Sequence, residues 1–150
     1  MAENINERTE FTNSCIWKSL EKIKNSQDKA EYLRMTCKLI EPPACTTIPF
    51  ILQTNQGYPF FTWGKIGDKN CFVTIFFKVI KLDSVTGAIT LRLLRPNKTL
   101  WDESINGIHL GGIYEVEFVT ITDEGLIINP ADFSAIKCFD PLIVIEEQAD

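Results

Sequence analysis

The chain has 150 residues, 45% of them hydrophobic and 23% charged, with a formal net charge of −5 at pH 7. That is enough for one ordinary domain with its own apolar core, and it excludes the low-hydrophobicity profile of a disordered chain and the need for a metal or dense disulfide framework. The negative sum also argues against nucleic acid as the main partner, because phosphate recognition needs a clustered basic surface.

The opening MAENINERTEF mixes both charge signs and has no apolar signal core, and no window approaches the ~20 apolar residues that cross a bilayer. The expectation is a protein made in the cytoplasm, soluble there at first, with a frayed start. From Thr12 to about Asn25, Ile16, Leu20 and Ile23 recur at helical spacing, flanked by Cys15 and Trp17. Asn13 or Ser14 is placed to cap this helix by accepting a bond from a free backbone N–H. A second short helix is expected from Asp28 to Met35, with Tyr32, Leu33 and Met35 turned inward. Pro42-Pro43 then ends any helix, since proline lacks the amide donor and restricts the residue before it. The expected organisation is a helical arm over residues 1–43 and a body over residues 44–150, forming one compact domain.

Beyond the prolines the apolar period changes from near 3.6 to 2. Pro49 to Gln53 and Phe60 to Trp63 read as short strands. In Cys71 to Lys81, Val73, Ile75, Phe77 and Val79 fall on one face, opposite Phe72, Thr74, Phe76, Lys78 and Ile80. Asp83 to Gly87 is hairpin-turn chemistry, leading into the alternation of Ile89, Leu91 and Leu93. A strand from Tyr114 to Ile121, a turn at Asp123-Glu124-Gly125 and a strand at Leu126 to Ile128 follow. Pro130 to Cys138 reads as a short helical turn entered through Asn129-Pro130, and Leu142 to Ile145 as a last strand. The fold class expected is mainly β: an antiparallel β-sandwich of about seven short strands with an N-terminal helical segment.

Charge is unevenly distributed. Residues 1–46 carry seven basic and seven acidic side chains, residues 47–99 seven and two, and residues 100–150 one and eleven, giving net charges of 0, +5 and −10. The simpler reading is that basic and acidic strands interleave in one sheet system; the other is head-to-tail attraction between copies.

Catalytic patterns are missing. His109, the single histidine, sits in the loop-like Gly107-Ile108-His109-Leu110-Gly111-Gly112 with no marked nucleophile partner. There is no Walker loop, dinucleotide fingerprint or G-x-S-x-G elbow, and the spacing of the cysteines suits no zinc site. Asp102-Glu103, Asp123-Glu124 and Glu146-Glu147 are adjacent pairs, which point apart and read as solvated turns. Asn97-Lys98-Thr99 reads as a turn rather than a glycan acceptor. No enzyme activity, cofactor, metal or small-molecule substrate is expected. Five cysteines, Cys15, Cys37, Cys45, Cys71 and Cys138, cannot all pair within one chain, so at least one is free or pairs between chains.

Four segments in order carry a family likeness: CIWKSLEKIKNSQD, IPFILQTNQGYPF, CFVTIFFKVIKLD followed by LRLL, and DFSAIKCF. Their order and spacing resemble the CotY/CotZ family of spore coat and exosporium proteins. The resemblance implies a non-enzymatic structural protein made in the mother cell and deposited on the spore surface, in outer coat, crust or exosporium. It implies assembly with itself and with other spore coat proteins, reinforced by disulfides. Cys15, Cys71 and Cys138 stand where relatives carry cysteine, and Cys37 and Cys45 fall in the usually cysteine-rich stretch; all five are the candidate inter-chain disulfide residues. Asp132 and Ser134 stand where relatives carry cysteine, so the chain is a cysteine-poor divergent member. The alternative is a binding module recruiting another surface protein or a glycan through exposed Phe60, Phe61, Trp63 or Trp101.

Overall fold

The computed structural model describes residues 14–36, 46–67 and 69–146. Helix α1 runs from Cys15 to Thr36. Ser14 is its cap: the Ser14 Oγ accepts the Trp17 N–H at 3.0 Å, while Asn13 lies outside the described residues. One helix replaces the two expected, because nothing from Lys24 to Thr36 breaks it and Lys24 pairs with Asp28 one turn on. Tyr32, Leu33 and Met35 are exposed rather than inward, since every residue from 31 to 36 lies in the last turns, beyond the buried stretch.

The strands are β1 (Phe50–Thr54), β2 (Thr62–Gly64), β3 (Phe72–Thr74), β4 (Phe76–Leu82), β5 (Ile89–Pro96), β6 (Trp101–Asp102), β7 (Gly107–Ile108), β8 (Val119–Ile128), β9 (Phe133–Cys138) and β10 (Val144–Glu146). The chain is thus mainly β with an N-terminal helix, as expected. Six strands form one sheet in the order β10-β8-β5-β4-β1-β9, and β2-β3 and β6-β7 form separate two-stranded ribbons. The pairing of β10 with β8 is parallel.

The large sheet must curl. Laid flat, six strands at ~4.8 Å spacing would put β10 about 24 Å from β9. The link from Cys138 to Val144 spans at most about 20 Å when extended, and part of it is a compact 3₁₀ turn, Pro141–Ile143. The pleat sends alternate residues into two apolar clusters. Phe50, Leu52, Phe77, Val79, Ile89 and Leu91 meet Ile16, Trp17, Leu20 and Ile23 of α1. Ile75, Phe76, Leu94, Val119 and Val144 gather with Leu100 and Ile108 on the other face.

Several expectations are corrected by this arrangement. The run from Cys71 to Lys81 is two strands, not one. The buried Thr74 hydroxyl donates to the Leu94 carbonyl and accepts the Phe76 N–H at 3.0 Å, breaking the pleat at Ile75. Ile75 consequently joins Phe76 in one cluster, while Phe77 and Val79 enter the other. Residues 114–118 are not strand, Tyr114 capping the short helix Leu110–Ile113 instead.

Asp123-Glu124-Gly125 is not a turn but the middle of β8. β8 follows β5 across a register shift between Arg92 and Leu94, and Gly125 lies opposite Arg92. A Cβ there would stand 2.9 Å from the Leu91 carbonyl oxygen. Gly125→Ala is therefore expected to force the ladder apart and cost about 1–3 kcal/mol, read as a lower urea midpoint. An unchanged midpoint would show that the ladder yields freely.

Pro130–Asp132 is the helical turn foreseen, with Asn129 as its cap, but Phe133–Cys138 is edge strand β9 rather than its continuation. Leu142 and Ile143 belong to a 3₁₀ turn and only Val144–Glu146 is strand. The hairpin at Asp83–Gly87 stands as expected. The Asp83 carboxylate accepts the Val85 and Thr86 N–H groups at 2.9 and 3.3 Å, which holds its pKa below the ordinary 3.8. Its support for the hairpin is complete above that value and is lost as pH falls through the lowered folded value. Basic β5 lies between basic β4 and acidic β8, so strands of the basic middle and the acidic C-terminal third share one sheet.

Candidate functional site

Cys15 opens α1, Cys71 precedes β3 and Cys138 ends β9; all three are exposed and none is bonded to another. Cys37 and Cys45 lie outside the described residues. Although the Cys138 residue is exposed, partial desolvation pushes its thiol above the ordinary value of 9.0. That lowers its thiolate fraction at neutral pH and slows exchange through it.

Two edges of the large sheet end without a further ladder partner among the described residues, β9 and β10. Such edges template association with another chain. β9 carries the exposed Lys137 and Cys138, and Ser134 turns back to donate to the Thr54 carbonyl at 2.9 Å. Near β10, Leu142 is 82% exposed and Ile145 44%.

The four aromatics proposed as partner anchors separate. Phe60 packs against the core, its ring tilted against Phe77 and edge-on to Phe133. Phe61, Trp63 and Trp101 cluster at centroid separations of 5.4 to 6.2 Å, with Trp63 half in solvent. This cluster ties the β2–β3 ribbon to the β6–β7 ribbon. Its members were recognisable as aromatics, but their meeting across 38 residues follows only from the ribbon placement.

Among the described residues no nucleophile is hydrogen-bonded to His109. Its Nδ1 accepts the Gly112 N–H at 3.0 Å, capping the short helix, and among the described residues this is the ring's hydrogen bond. Ser104 donates both its hydroxyl and its N–H to Asp102, and these bonds hold the Asp102 carboxyl below its usual range. The hydroxyl is thus bound to a carboxylate, with no histidine between them to activate it. No group of three or more His, Cys, Asp or Glu residues able to hold a metal occurs among the described residues. No helix there is long and apolar enough to cross a membrane. Asn97 spends its side-chain oxygen on the Glu117 and Phe118 N–H groups, as a turn residue does.

Gln27 escaped the sequence reading. It occupies the fourth position of the apolar stripe Ile16, Leu20, Ile23, and it is 95% buried by its 5% exposure. Its Nε2 donates to the Val79 carbonyl at 3.1 Å and its Oε1 accepts the Ile48 N–H at 2.9 Å. The signal was available: a polar residue four positions after Ile23 on an apolar face.

Exposed thiols on separate elements and two open sheet edges are thus the features that the fold offers to a partner. The family model for Spore coat protein Z matches residues 4–111. The chain belongs to that family, and with it has a structural role in the coat, among other coat proteins, on the spore surface. No curated protein and no solved structure matches the chain. The match takes in Cys15, Cys37, Cys45 and Cys71, whereas Cys138 and the Asp132–Phe139 landmark lie beyond it.

Proposed function

We propose that this protein is a building unit of the outer coat, crust or exosporium that self-associates or co-assembles with other coat proteins into a protective layer. The observation that carries the proposal is the placement of Cys15, Cys71 and Cys138 as exposed, unbonded thiols on separate elements. Thiols that have no partner among the described residues are available to bridge to another molecule, each bridge passing two protons and two electrons to an oxidant. Cys37 and Cys45 are further candidates. The open edges of β9 and β10, with Leu142 and Ile145 beside β10, supply the non-covalent part of the contact.

In this reading the protein is made in the mother-cell cytoplasm before deposition and performs no catalysis. Residues 1–43 and 44–150 act as arm and body of one unit, a reading supported by burial of the α1 stripe against the sheet. Under mild oxidation, non-reducing gels are expected to show a ladder that reductant removes, shortened by Cys15→Ser or Cys138→Ser. Negative-stain images of the purified protein should show rings or sheets. Material that stays monomeric at high concentration, with and without oxidant, would overturn the proposal.

A second reading, an adaptor that recruits another spore-surface protein or a glycan, is favoured by the half-exposed Trp63 on its Phe61 and Trp101 support. It separates from the first by stoichiometry. An adaptor retains a non-self partner in equal amount and releases it on Trp63→Ala, whereas a self-assembling unit does neither.

A further inference from the structure

Where the β2–β3 ribbon stands beside the end of the β5–β8 ladder, the molecule holds a cavity of about 470 Å³. Lys65, Arg95 and Lys98 line it together, and among the described residues no carboxylate does. All three come from the basic middle of the chain, residues 47–99. Among the described residues none of the three is ion-paired.

Arg95 is half-buried, and its guanidinium carbon lies 5.5 Å from the centroid of the Phe72 ring. A ring face attracts the cation but accepts none of its in-plane N–H bonds, so the donor fork remains available to a ligand. Thr120, opposite Arg95 in the β5–β8 register, also lines the cavity, and its hydroxyl is unengaged among the described residues. Apolar walls from Phe118 and Leu100 keep out part of the water that would screen these charges.

We propose that this cavity binds a tetrahedral oxyanion of the phosphate class. Arg95 clamps two oxygens, Lys65 and Lys98 act as point charges, and Thr120 donates to a remaining oxygen. Three clustered cations are neutralised better by a dianion than by a single carboxylate, which sets the ligand class. The source is either free phosphate or a phosphoryl group on a partner's side chain, and the chemistry of recognition is common to both.

Cys71 lines the same cavity, whereas Cys15 and Cys138 do not, so the chain carries its own reporter and controls. The reduced full-length protein is labelled with N-ethylmaleimide at constant ionic strength in rising inorganic phosphate, and each cysteine is quantified by mass spectrometry. At twice its Kd, phosphate should slow Cys71 labelling about threefold, leaving Cys15 and Cys138 unchanged, and calorimetry should show the matching heat. Arg95→Gln should abolish both signals, and the exposed Lys98→Gln should weaken them, with circular dichroism preserved in each. A phosphoserine peptide that protects more strongly than phosphate assigns the site to a partner's phosphoryl group; equal or weaker protection assigns it to the free ion. Absence of both protection and heat, equal protection at all three thiols, or wild-type behaviour of Arg95→Gln would overturn the proposal.

Discussion

Phe77→Ala is expected to lower stability by about 3–5 kcal/mol, enough to consume a large part of the ~5–15 kcal/mol available to a domain. Phe77 is fully buried, with ring centroids of Phe60 and Phe50 at 5.5 and 6.4 Å. It also forms the register pair with Phe50 that joins β1 to β4. Truncation therefore opens a cavity at the seam through which β1 and β9 attach to the rest of the sheet. In thermal unfolding the midpoint should fall by roughly 10 °C or more. A loss below about 1 kcal/mol would mean that the seam collapses around the gap and that β1 is held by other contacts.

Gln27→Leu is expected to destabilise by about 2–5 kcal/mol, although it replaces a polar residue on an apolar helix face with a good core residue. The reason lies in the sheet beneath. β4 carries a register shift between Val79 and Lys81, and a strand irregular at that point frees a carbonyl from its ladder. Gln27 satisfies the Val79 carbonyl and, with its other end, the Ile48 N–H that leads into β1. Leucine would leave both backbone groups without their partner, and an unsatisfied buried group costs more than leucine's burial returns. Urea unfolding monitored at the tryptophans checks this, Trp17 being buried in the same helix. A Gln27→Leu protein as stable as the parent would show that water reaches both groups.

Much of the fold was legible in the residue order. The stripe Ile16, Leu20, Ile23 announced a helix with one buried face, and the pair Asn13-Ser14 announced its start, because helical spacing and capping are local properties. The hairpin at Asp83–Gly87 was equally local, its aspartate accepting the N–H groups two and three residues ahead. The five cysteines were named as inter-chain candidates from their number and the family resemblance, not from any sign of exposure. That Cys15, Cys71 and Cys138 face solvent on separate elements is a tertiary fact.

The failures share a cause. Asp123-Glu124-Gly125 has turn composition, yet β5 supplies a partner strand along its length and its glycine admits a carbonyl that no other residue would. The run from Cys71 to Lys81 alternates as one strand, yet Thr74 finds the Leu94 carbonyl twenty residues away and splits it. Gln27 looks like an interruption of an apolar face until β4 presents a free carbonyl to it. In each case a residue's local preference lost to a partner distant in sequence.

By itself, then, the sequence determined the class of the protein and its materials. Period and composition set a mainly β domain behind a helical N-terminal segment, and the landmark order pointed to a spore coat family. The tertiary structure decided which residues became surface and which became core. It sent Phe60 inward and left Trp63 outside, set Cys138 on an open strand edge, and gathered Lys65, Arg95 and Lys98 around one cavity from segments 30 residues apart. Burial and charge clustering depend on how the sheet curls, and that curl arises from pairings between distant strands that local residue patterns do not encode.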